Sequence, residues 1–403
     1  MKEPLQSALN QLIGPAVWPA AQNSNEFSDP LGPRGAAVVL ENPPARVCQE
    51  LADEGYTRFR LFAVLPSSKA PRWLLPLGER HRMLEGFHIY RPFTPSARLM
   101  KSLVMKAIEA GWDGWGCPRV MVASKNPLPL EVLATEATGE PEPFLALSLG
   151  MPGDLCKLTL QIMGRRGEIL GYIKLPLYPT AVERVRNESA VLKRLWSFPE
   201  LRPHIPEVLY AGEWSGGFVL VQSPGPSRPG PLDFGPLHEG FLQLLRSIHR
   251  VERSGSAIVK EVAARWRKTA PLLELQWREM GERALVRASR ALQGAMVPCG
   301  IMHGDLVPWN TRVENGGLFV FDWESAAWDL PALWDVFHFH VQVASLLNRR
   351  NGDDVAPAPT TVKGALFLLY VLTSLSGYLE GRAPRGHQVV EYRKQLLAKM
   401  LKT

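Results

Sequence analysis

Three oxygen-bearing side chains follow one another at short intervals in the second half of the chain. Asp305 and Asn310 are five residues apart in HGDLVPWN (303–310), and Asp322 follows after TRVENGGLFVF, in which Asn315-Gly316 predicts a tight hairpin turn. Carboxylate and amide oxygens suit Mg²⁺ carrying phosphate better than zinc. One carboxylate can stay off the metal and accept the proton of a substrate hydroxyl as a phosphoryl group moves. Asp and Asn are also frequent turn formers, but the combined spacing favours phosphoryl transfer.

A lysine on a predicted strand and an acid in the next helix form a second candidate pair. Lys174 lies in the strand GYIKLPL, and Glu188 lies 14 residues later in a helical pattern where an ion pair is feasible. Glu183 is the competing partner. The phosphates of a nucleotide need backbone donors from a turn and a cation held on a strand. A lone strand lysine usually faces solvent, but together with the later Asp/Asn loop it favours a nucleotide site.

Two loops could supply backbone groups to that nucleotide. The segment Gly150-Met151-Pro152-Gly153-Asp154 has two glycines without forming GxGxxG, and its proline lacks an N–H donor. A plain hairpin turn is the alternative there. Gln222 and Ser223 follow a predicted strand and could offer backbone groups to an adenine, as any strand-to-linker junction could. We take Gly150, Gly153, Gln222 and Ser223 as candidate nucleotide contacts.

The elements that must position these residues follow in a definite order. Alternating apolar residues predict three antiparallel strands over about 144–177. A helix over about 180–196 and a strand pair ending near 222 come next. A proline- and glycine-rich hinge (223–236) leads into a mostly helical remainder, apart from a strand pair around 311–322. This order predicts an α+β protein with a small β-rich lobe and a larger helical lobe.

The first part of the chain gives mixed signals and predicts an additional α/β region. Its clearest predicted elements are two strands and one helix with an apolar face: Ala36–Leu40, Arg58–Leu65, and Pro95–Gly111 with Leu99, Leu103 and Ile108 on that face. The first 30 residues predict an extended arm after a short helix. Four prolines in 125–143 predict a boundary. We therefore expect a region of unknown function at 1–140 and a second domain at 141–403, divided into lobes 141–222 and 223–403.

Two segments of the chain, 303–310 and 321–324, resemble motifs of a known family. HGDLVPWN and FDWE resemble the catalytic and metal loops of the aminoglycoside phosphotransferase and choline kinase group, whose members have a protein-kinase-like fold and mostly phosphorylate small molecules. Protein kinases typically show HRDxxxxN and DFG, and neither DFG nor APE follows here. The resemblance implies that Asp305 is the catalytic base and that His303 buttresses its loop. It also implies that Asn310 and Asp322 bind Mg²⁺.

The resemblance covers about residues 144–403 and extends to two further positions. The helix NESAVLKRL is similar to the family's helix at that point, which favours Glu188 over Glu183 as the partner of Lys174. Asp335 matches an aspartate that follows the metal loop in the family, and we carry it over as a loop-anchoring residue. Residues 1–140 match nothing in the family.

Composition and charge exclude several classes of protein. With 403 residues, 46% of them hydrophobic, the chain is not disordered. Its net charge of +7 raises nucleic acid as a partner, but the densest basic segment, Arg265-Trp266-Arg267-Lys268, fits a solvated helix face, so nucleic acid is a minor alternative.

Four widely spaced cysteines predict buried, reduced thiols. The apolar run Ala365–Leu375 is too short to span a membrane. Since the N-terminus lacks the pattern of a signal peptide, we expect a cytoplasmic location.

We expect Mg·ATP-dependent transfer of the γ-phosphoryl group to a hydroxyl of a small molecule. Residues 237–295 carry eleven basic and six acidic residues, and residues 323–403 carry nine and seven. A basic acceptor side favours a neutral or anionic, sugar-like acceptor over a polycationic aminoglycoside. The alternatives are a catalytically weak binding or scaffold protein with this fold and a kinase that acts on protein.

Overall fold

The chain forms two compact units. A computed structural model describes residues 37–44, 46–90, 95–150, 153–214, 217–347, 360–381 and 387–402, together with 9, 10, 12, 92, 357 and 358. The first unit comprises Met1–Pro152, Cys156–Val182 and Val208–Pro224. The second comprises Gly153–Leu155, Glu183–Glu207 and Gly225–Thr403.

The first unit is built on one sheet. Its strands are β1 Ala37–Glu41, β2 Arg58–Leu65, β3 Trp73–Pro76, β4 Arg119–Ser124, β5 Phe144–Ser148, β6 Lys157–Met163, β7 Ile169–Pro176, β8 Val208–Trp214 and β9 Gly217–Gln222. Its helices are α1 Arg46–Asp53, α2 Arg80–Gly86, α3 Pro95–Glu109 and α4 Pro129–Thr138. The helix α5 Pro179–Trp196 begins here and belongs to the second unit from Glu183 onward.

The nine strands pair in the order β1-β4-β2-β3-β5-β6-β7-β9-β8, and each pairing is antiparallel. The meander β5–β6–β7 and the pair β8–β9 confirm the strands predicted from alternation. Alternate residues of each strand face opposite sides of a sheet. Val120 and Val122 therefore join one apolar cluster with Ile173 and Leu175, while Met121 packs in another on the opposite side. Both faces of the sheet are covered.

The predicted boundary at 140–141 falls inside this unit. The turn between α4 and β5 lies there, but β3 pairs with β5 through Trp73–Ser148 and Leu74–Leu147. One apolar cluster runs from Leu74 on the N-terminal side to Leu160 on the other. The region before residue 140 therefore shares a continuous sheet and core with the predicted small lobe.

The helix predicted at Pro95–Gly111 is present as α3, but its buried face was predicted wrongly. Ile108 is 1% exposed, whereas Leu99 and Leu103 are 62% and 53% exposed. The residues that pack against the neighbouring cluster with Ile108 are Val104 and Met105. The apolar residues of this helix occupy more than one side, so their spacing alone does not identify the side that meets the sheet.

The second unit is mainly helical. Besides the rest of α5 it contains α6 Pro236–Ile248, α7 Gly255–Thr269, α8 Leu275–Ala291, α9 Trp334–Leu347, α10 Val362–Glu380 and α11 Gln388–Lys402. Its strands are β10 Arg250–Ser254, β11 Met296–Met302, β12 Thr311–Glu314, β13 Gly317–Val320 and β14 Ala327–Pro331. The hairpin β12–β13 was predicted, and both Asn315 and Gly316 in its turn have positive φ. The three-stranded sheet β10-β11-β14 was not predicted.

The core of this unit surrounds α10. Trp266, Phe337 and Phe367 are almost fully buried in one large cluster to which α7, α8, α9, α10 and α11 contribute. The predicted buried run Ala365–Leu375 is confirmed as the middle of α10. By length and composition, Val362–Glu380 would also suit a membrane span, with a mean hydropathy of 1.5, but 61% of that window is buried inside the unit. Core helices of this length pass the same test.

Some predictions concern positions outside the described residues. These are Ala36 of the first predicted strand, most of the predicted N-terminal arm, and Met151 and Pro152 of the glycine loop. The four cysteines form no disulfide; Cys156 and Cys299 are buried as predicted, while Cys48 is exposed and Cys117 is half-buried.

Candidate active site

The loop after β11 holds Asp305 in one conformation. Asn310 Nδ2 donates to the Asp305 main-chain oxygen at 3.0 Å and to Asp305 Oδ2 at 2.8 Å. The Asp305 N–H donates to His303 Nδ1 at 3.1 Å. Gly304 has φ +83, and a Cβ there would lie 2.3 Å from the Ser325 carbonyl oxygen, so only glycine fits this approach. The five-residue spacing of Asp305 and Asn310 thus closes a compact loop.

Asp335, at the start of α9, anchors this loop through two hydrogen bonds. Its two carboxylate oxygens accept the backbone N–H groups of His303 at 2.8 Å and Gly304 at 2.9 Å. Burial raises the pKa of the Asp335 carboxyl, and the neighbouring His303 and the two N–H donors act in the opposite direction. The geometry is that of the loop-anchoring residue implied by the resemblance.

His303 lies between this loop and the segment that carries Asp322. Its Nδ1 accepts from Asp305, and its Nε2 lies 3.2 Å from the Phe321 carbonyl oxygen. The ring is fully buried and packs edge-on against Trp323 at 4.5 Å between centroids. Burial lowers the pKa of His303, which keeps the imidazole neutral. His303 therefore buttresses the loop, and the structure gives it no exposed nitrogen with which to touch a substrate.

Hydrogen bonding brings the two predicted metal ligands to adjacent positions. The Phe321 N–H donates to the Asn310 carbonyl oxygen at 3.1 Å, which places Asp322 next to Asn310 across the β12–β13 hairpin. Asp322 has φ +70, a left-handed conformation that is uncommon outside glycine. Such a strained backbone at a predicted ligand position is common at functional sites.

Three carboxylates meet at this point. Oxygens of Glu188, Asp322 and Glu324 all lie within 4.8 Å of one another. Glu188 Oε1 accepts the Trp323 N–H at 3.2 Å. Carboxylates this close repel one another, and a cation between them removes the repulsion. This donor set of hard oxygens fits Mg²⁺. Sequence reasoning had not used Glu324, although it lies in the FDWE motif.

The helix α5 holds the metal segment in place. Asn187 Nδ2 donates to the carbonyl oxygens of Glu324 at 3.1 Å and Ala326 at 3.0 Å. Arg184 Nη1 donates to Ser325 Oγ at 3.3 Å. The sequence analysis did not predict these contacts, because Asn187, the residue before Glu188, belongs to no recognisable motif. They fix the position of the carboxylate cluster relative to α5.

A histidine that sequence reasoning missed contacts the second oxygen of Asp305. His338 Nε2, on α9, lies 2.9 Å from Asp305 Oδ1. The side chain of His338 is 11% exposed and that of Asp305 is 31% exposed, so the carboxylate remains open to a ligand. A signal for this contact exists in the sequence. His338 is three residues beyond Asp335, and residues three apart in a helix share a face.

Of the remaining candidates, Lys174, Gly150, Gln222 and Ser223 lie in the first unit, and Gly153 lies in the second. Lys174 is buried on β7, opposite Thr159 of β6 and Leu220 of β9. Its neighbours Ile173 and Leu175 point into the main apolar cluster, so Lys174 points to the other face. Glu188 belongs to the second unit. The Lys174–Glu188 pair stays a prediction.

The glycine loop and the strand-to-linker junction are only partly described. Gly150 has φ +69, and a Cβ there would lie 2.4 Å from the Lys157 carbonyl oxygen. Arg72 Nη1 donates to the Gly150 carbonyl oxygen at 2.7 Å. The hairpin alone therefore requires this glycine. Gly153 has φ +138 and open space around it. Gln222 is opposite Tyr172 and Val208 in the sheet, so Ser223 is the first residue beyond β9. A nucleotide-binding role for these residues stays a prediction.

Comparison with known proteins gives a family. A family model described as the phosphotransferase enzyme family matches residues 172–396, more than half of the chain. No curated protein sequence matches the chain. The matched residues include Lys174, Glu188, the loop with Asp305 and Asn310, and the carboxylate cluster.

Several solved structures are similar to part of the chain. The apo form of a thermostable mutant of aminoglycoside phosphotransferase APH(4)-Ia is 15% identical, with a TM-score of 0.47, over 68% of this chain and 98% of that one. The GDP complex of wild-type aminoglycoside 2'-phosphotransferase-IIIa is 14% identical, with a TM-score of 0.41, over 62% and 91%. Macrolide 2'-phosphotransferase MphH from Brachybacterium faecium, as the apoenzyme, is 18% identical, with a TM-score of 0.43, over 67% and 96%. At these scores the likenesses carry no argument about the substrate of this chain.

Proposed function

Because the chain belongs to the phosphotransferase enzyme family and is a small-molecule kinase, we propose that it transfers the γ-phosphoryl group of ATP, with Mg²⁺, to a hydroxyl of a neutral or anionic, sugar-like molecule. One observation carries the proposal. The Asp305 carboxylate is held by Asn310 at 2.8 Å yet keeps 31% of its side chain exposed. A carboxylate oriented from within the protein and open on the outside can accept the proton of an incoming hydroxyl.

The residues divide the work between positioning and charge neutralisation. Asp305 orients the acceptor hydroxyl and takes its proton. Lys174 binds the nucleotide phosphates, and Glu188 orients Lys174 or the carboxylate segment. Asn310 and Asp322, with Glu324 beside them, would hold Mg²⁺, which neutralises phosphate charge when bound. His303 and Asp335 keep the loop in the geometry that this alignment needs. Alignment of the reacting groups can lower a reaction barrier by up to about 7–11 kcal/mol.

The charge of the acceptor side supports a neutral or anionic acceptor. Residues 237–295 carry five more basic than acidic residues, and residues 323–403 carry two more. Several of these basic residues are engaged in ion pairs, among them Arg265 with Glu380 and Arg267 with Glu282. Ion pairs within the protein leave the net surplus unchanged, and a positive surplus disfavours a polycation.

A transfer assay tests the proposal. The purified protein is incubated with labelled ATP, Mg²⁺ and one acceptor at a time from a panel of sugars, sugar phosphates, nucleosides, amino alcohols and aminoglycosides; GTP replaces ATP in a parallel series. We expect label on a neutral or anionic hydroxylated compound. An aminoglycoside with a higher kcat/KM than every other acceptor would overturn the proposed acceptor class. Label on a protein would favour a protein kinase, and nucleotide binding without turnover would favour a scaffold.

We also propose that the enzyme works in the cytoplasm, where ATP and reduced thiols are available to it. Microscopy of a fluorescent fusion, with fractionation of the cells as a second measurement, tests this location. Fluorescence at the cell surface or in the medium would contradict it.

A further inference from the structure

The Asp305 carboxylate is held through both of its oxygens. Asn310 Nδ2 contacts Oδ2 at 2.8 Å, and His338 Nε2 contacts Oδ1 at 2.9 Å. An ionised carboxylate only accepts hydrogen bonds, so His338 Nε2 carries the proton in this pair. The two contacts come from different elements: Asn310 belongs to the same loop as Asp305, and His338 belongs to α9.

The other nitrogen of the His338 ring faces a buried tyrosine. The Tyr370 hydroxyl, on α10, lies 3.3 Å from His338 Nδ1, and Arg393 Nη2, on α11, donates to that hydroxyl at 3.4 Å. Burial raises the pKa of Tyr370, so the hydroxyl keeps its proton. A guanidinium only donates, which leaves the Tyr370 proton available for His338 Nδ1. Arg393, Tyr370 and His338 therefore form a chain of hydrogen bonds in which each group donates to the next one toward Asp305.

Arg393 is itself held firmly. It is fully buried, and it donates to Ser374 Oγ at 2.6 Å, to Gln342 Oε1 at 3.0 Å and to the Val389 carbonyl oxygen at 3.2 Å. These acceptors are neutral oxygens. A buried guanidinium costs much free energy unless its N–H groups are satisfied. The chain of hydrogen bonds that leads to Asp305 thus begins at Arg393, a side chain that has little freedom to move.

We propose that His338 is a positioning residue for the catalytic carboxylate, and that Tyr370 and Arg393 fix the tautomer and orientation of its ring. The inference rests on the proposed function, since it takes Asp305 as the group that aligns the acceptor hydroxyl. His338 stops Oδ1 from rotating away, so that the proton-accepting lone pair of Asp305 stays aimed at the acceptor. The helices α10 and α11 thereby contribute to the chemistry without touching a substrate. The alternative is that these three side chains only fill the interior of the helical unit.

Kinetics of four variants separate the two explanations. His338→Ala removes the donor, and His338→Gln retains an N–H that can reach Asp305. Tyr370→Phe removes one hydroxyl. Tyr378→Phe is the matched control: its hydroxyl donates to Gln342 at 3.2 Å rather than to His338, Gln342 keeps its bond from Arg393, and phenylalanine keeps the ring that packs against Arg393. Each variant is assayed with Mg·ATP and the acceptor of highest kcat/KM in the panel above. Thermal unfolding and the KM for ATP are measured in parallel.

We expect His338→Ala to lower kcat by about 100-fold with an unchanged KM for ATP, because a small misplacement of a catalytic group costs rates of this order. His338→Gln should recover most of that loss, Tyr370→Phe should lower kcat by about tenfold, and Tyr378→Phe should leave it unchanged. If His338→Ala and His338→Gln lose equal activity in proportion to lost thermal stability, the histidine only packs. If His338→Ala does not fold, the comparison of His338→Gln, Tyr370→Phe and Tyr378→Phe still decides: equal kcat for the two tyrosine variants overturns the proposal.

A spectroscopic measurement distinguishes failure of this inference from failure of the proposed function. Imidazole ¹⁵N resonances of the full-length protein report which ring nitrogen carries the proton. We expect the Nε2–H tautomer for His338, and a changed Nε2 resonance in Asp305→Asn. An Asp305→Asn enzyme that retains its transfer rate would refute the proposed role of Asp305 whatever the spectrum shows. An Asp305→Asn enzyme that is inactive but leaves the His338 resonances unaltered would overturn the positioning role alone.

Discussion

Asn310 binds Asp305 twice with one amide group, through the main-chain oxygen at 3.0 Å and the carboxylate at 2.8 Å. The first contact closes the loop, and the second orients the side chain within it. Because Nδ2 points to Asp305, the amide oxygen is directed away from that residue, as a metal ligand must be. Asn310, five residues after Asp305, therefore links the proposed catalytic carboxylate to the segment proposed to bind the metal.

Asp305→Asn should abolish transfer while the fold and ATP binding remain. The amide has the shape of the carboxylate but cannot accept a proton from the acceptor, so we expect kcat to fall by about 10³-fold. Steady-state kinetics and thermal unfolding measure the two effects. Asp329→Asn, which alters an exposed carboxylate paired with His249 at 2.6 Å, is the matched control and should keep its rate. An Asp305→Asn enzyme with most of its activity would show that another group aligns the acceptor.

Asp322→Ala should weaken nucleotide binding only when Mg²⁺ is present. Removing one hard-oxygen ligand lowers the affinity for the metal, and through it the affinity for the metal-bound phosphates. Calorimetric titration with ATP is carried out with Mg²⁺ and again with EDTA. We expect about a tenfold loss of affinity in the first series and none in the second. The metal role is contradicted by equal Mg·ATP affinity in the variant and the parent.

Lys174→Ala should weaken ATP binding, and Glu188→Ala should partly reproduce that effect. Lys174 supplies positive charge to the phosphates, and Glu188 either orients it or supports the segment of Asp322 through its contact with the Trp323 N–H at 3.2 Å. The KM for ATP measures both changes. Glu183→Ala, one and a half turns earlier in the same helix, is the matched control. A loss in Glu183→Ala without one in Glu188→Ala would identify Glu183 as the partner.

His238 should make the protein less stable in mild acid. Burial lowers its pKa to about 4, with the nearby His340 adding to the effect, and its Nε2 has no hydrogen-bond partner among the described residues. The native state keeps this ring neutral, while the unfolded chain protonates it below about pH 6.5. The unfolded state then binds more protons, so the stability present above that pH is lost as the pH falls toward 4.

The measurement is the free energy of unfolding by urea at pH 7 and pH 5, in the parent and in His238→Gln. We expect the parent to lose on the order of 2 kcal/mol more than the variant over this interval. Other histidines with lowered pKa, such as the buried His303, titrate in both proteins and cancel in the comparison. Parallel pH dependences in the two proteins would contradict a buried neutral His238.

Asp335→Ala should destabilise the second unit and the catalytic loop together. The change leaves the buried N–H groups of His303 and Gly304 without their acceptor, and each such loss costs about 1–3 kcal/mol. Denaturant unfolding measures the stability, and the transfer rate at a temperature where the variant is still folded measures the loop. Asp329→Asn again serves as the control, because asparagine tolerates the left-handed backbone of this position, whose φ is +59. Wild-type stability in Asp335→Ala would show that water or another group satisfies the loop.

The sequence by itself determined the local parts of this protein. The alternation in 144–177 predicted β5, β6 and β7, because the side chains of a strand alternate between its two faces. Asn315-Gly316 predicted the turn of the β12–β13 hairpin, because both positions need positive φ. The sequence also placed Asp305, Asn310 and Asp322 on one loop and the hairpin that follows it, and the structure joins Asp305 to Asn310 by hydrogen bonds.

Only the tertiary structure decided which distant residues join them. The pairing of β3 with β5 merges the N-terminal region with the small β-rich part, and no local pattern specifies that register. Leu99 and Leu103 were predicted to share an apolar face with Ile108, yet only Ile108 of the three is buried, because the side of α3 that meets the sheet depends on elements far away in the chain.

His338, Tyr370 and Arg393 give the clearest case. Tyr370 follows His338 after 32 residues, and Arg393 follows Tyr370 after 23. Each of the three lies in a helix that packs mainly through apolar side chains. Helix periodicity places a side chain on a face but does not state what that face will meet. The packing of α9, α10 and α11 brings the three together, and hydrogen bonds between buried polar groups then make the arrangement specific, because an unpaired group there would be costly.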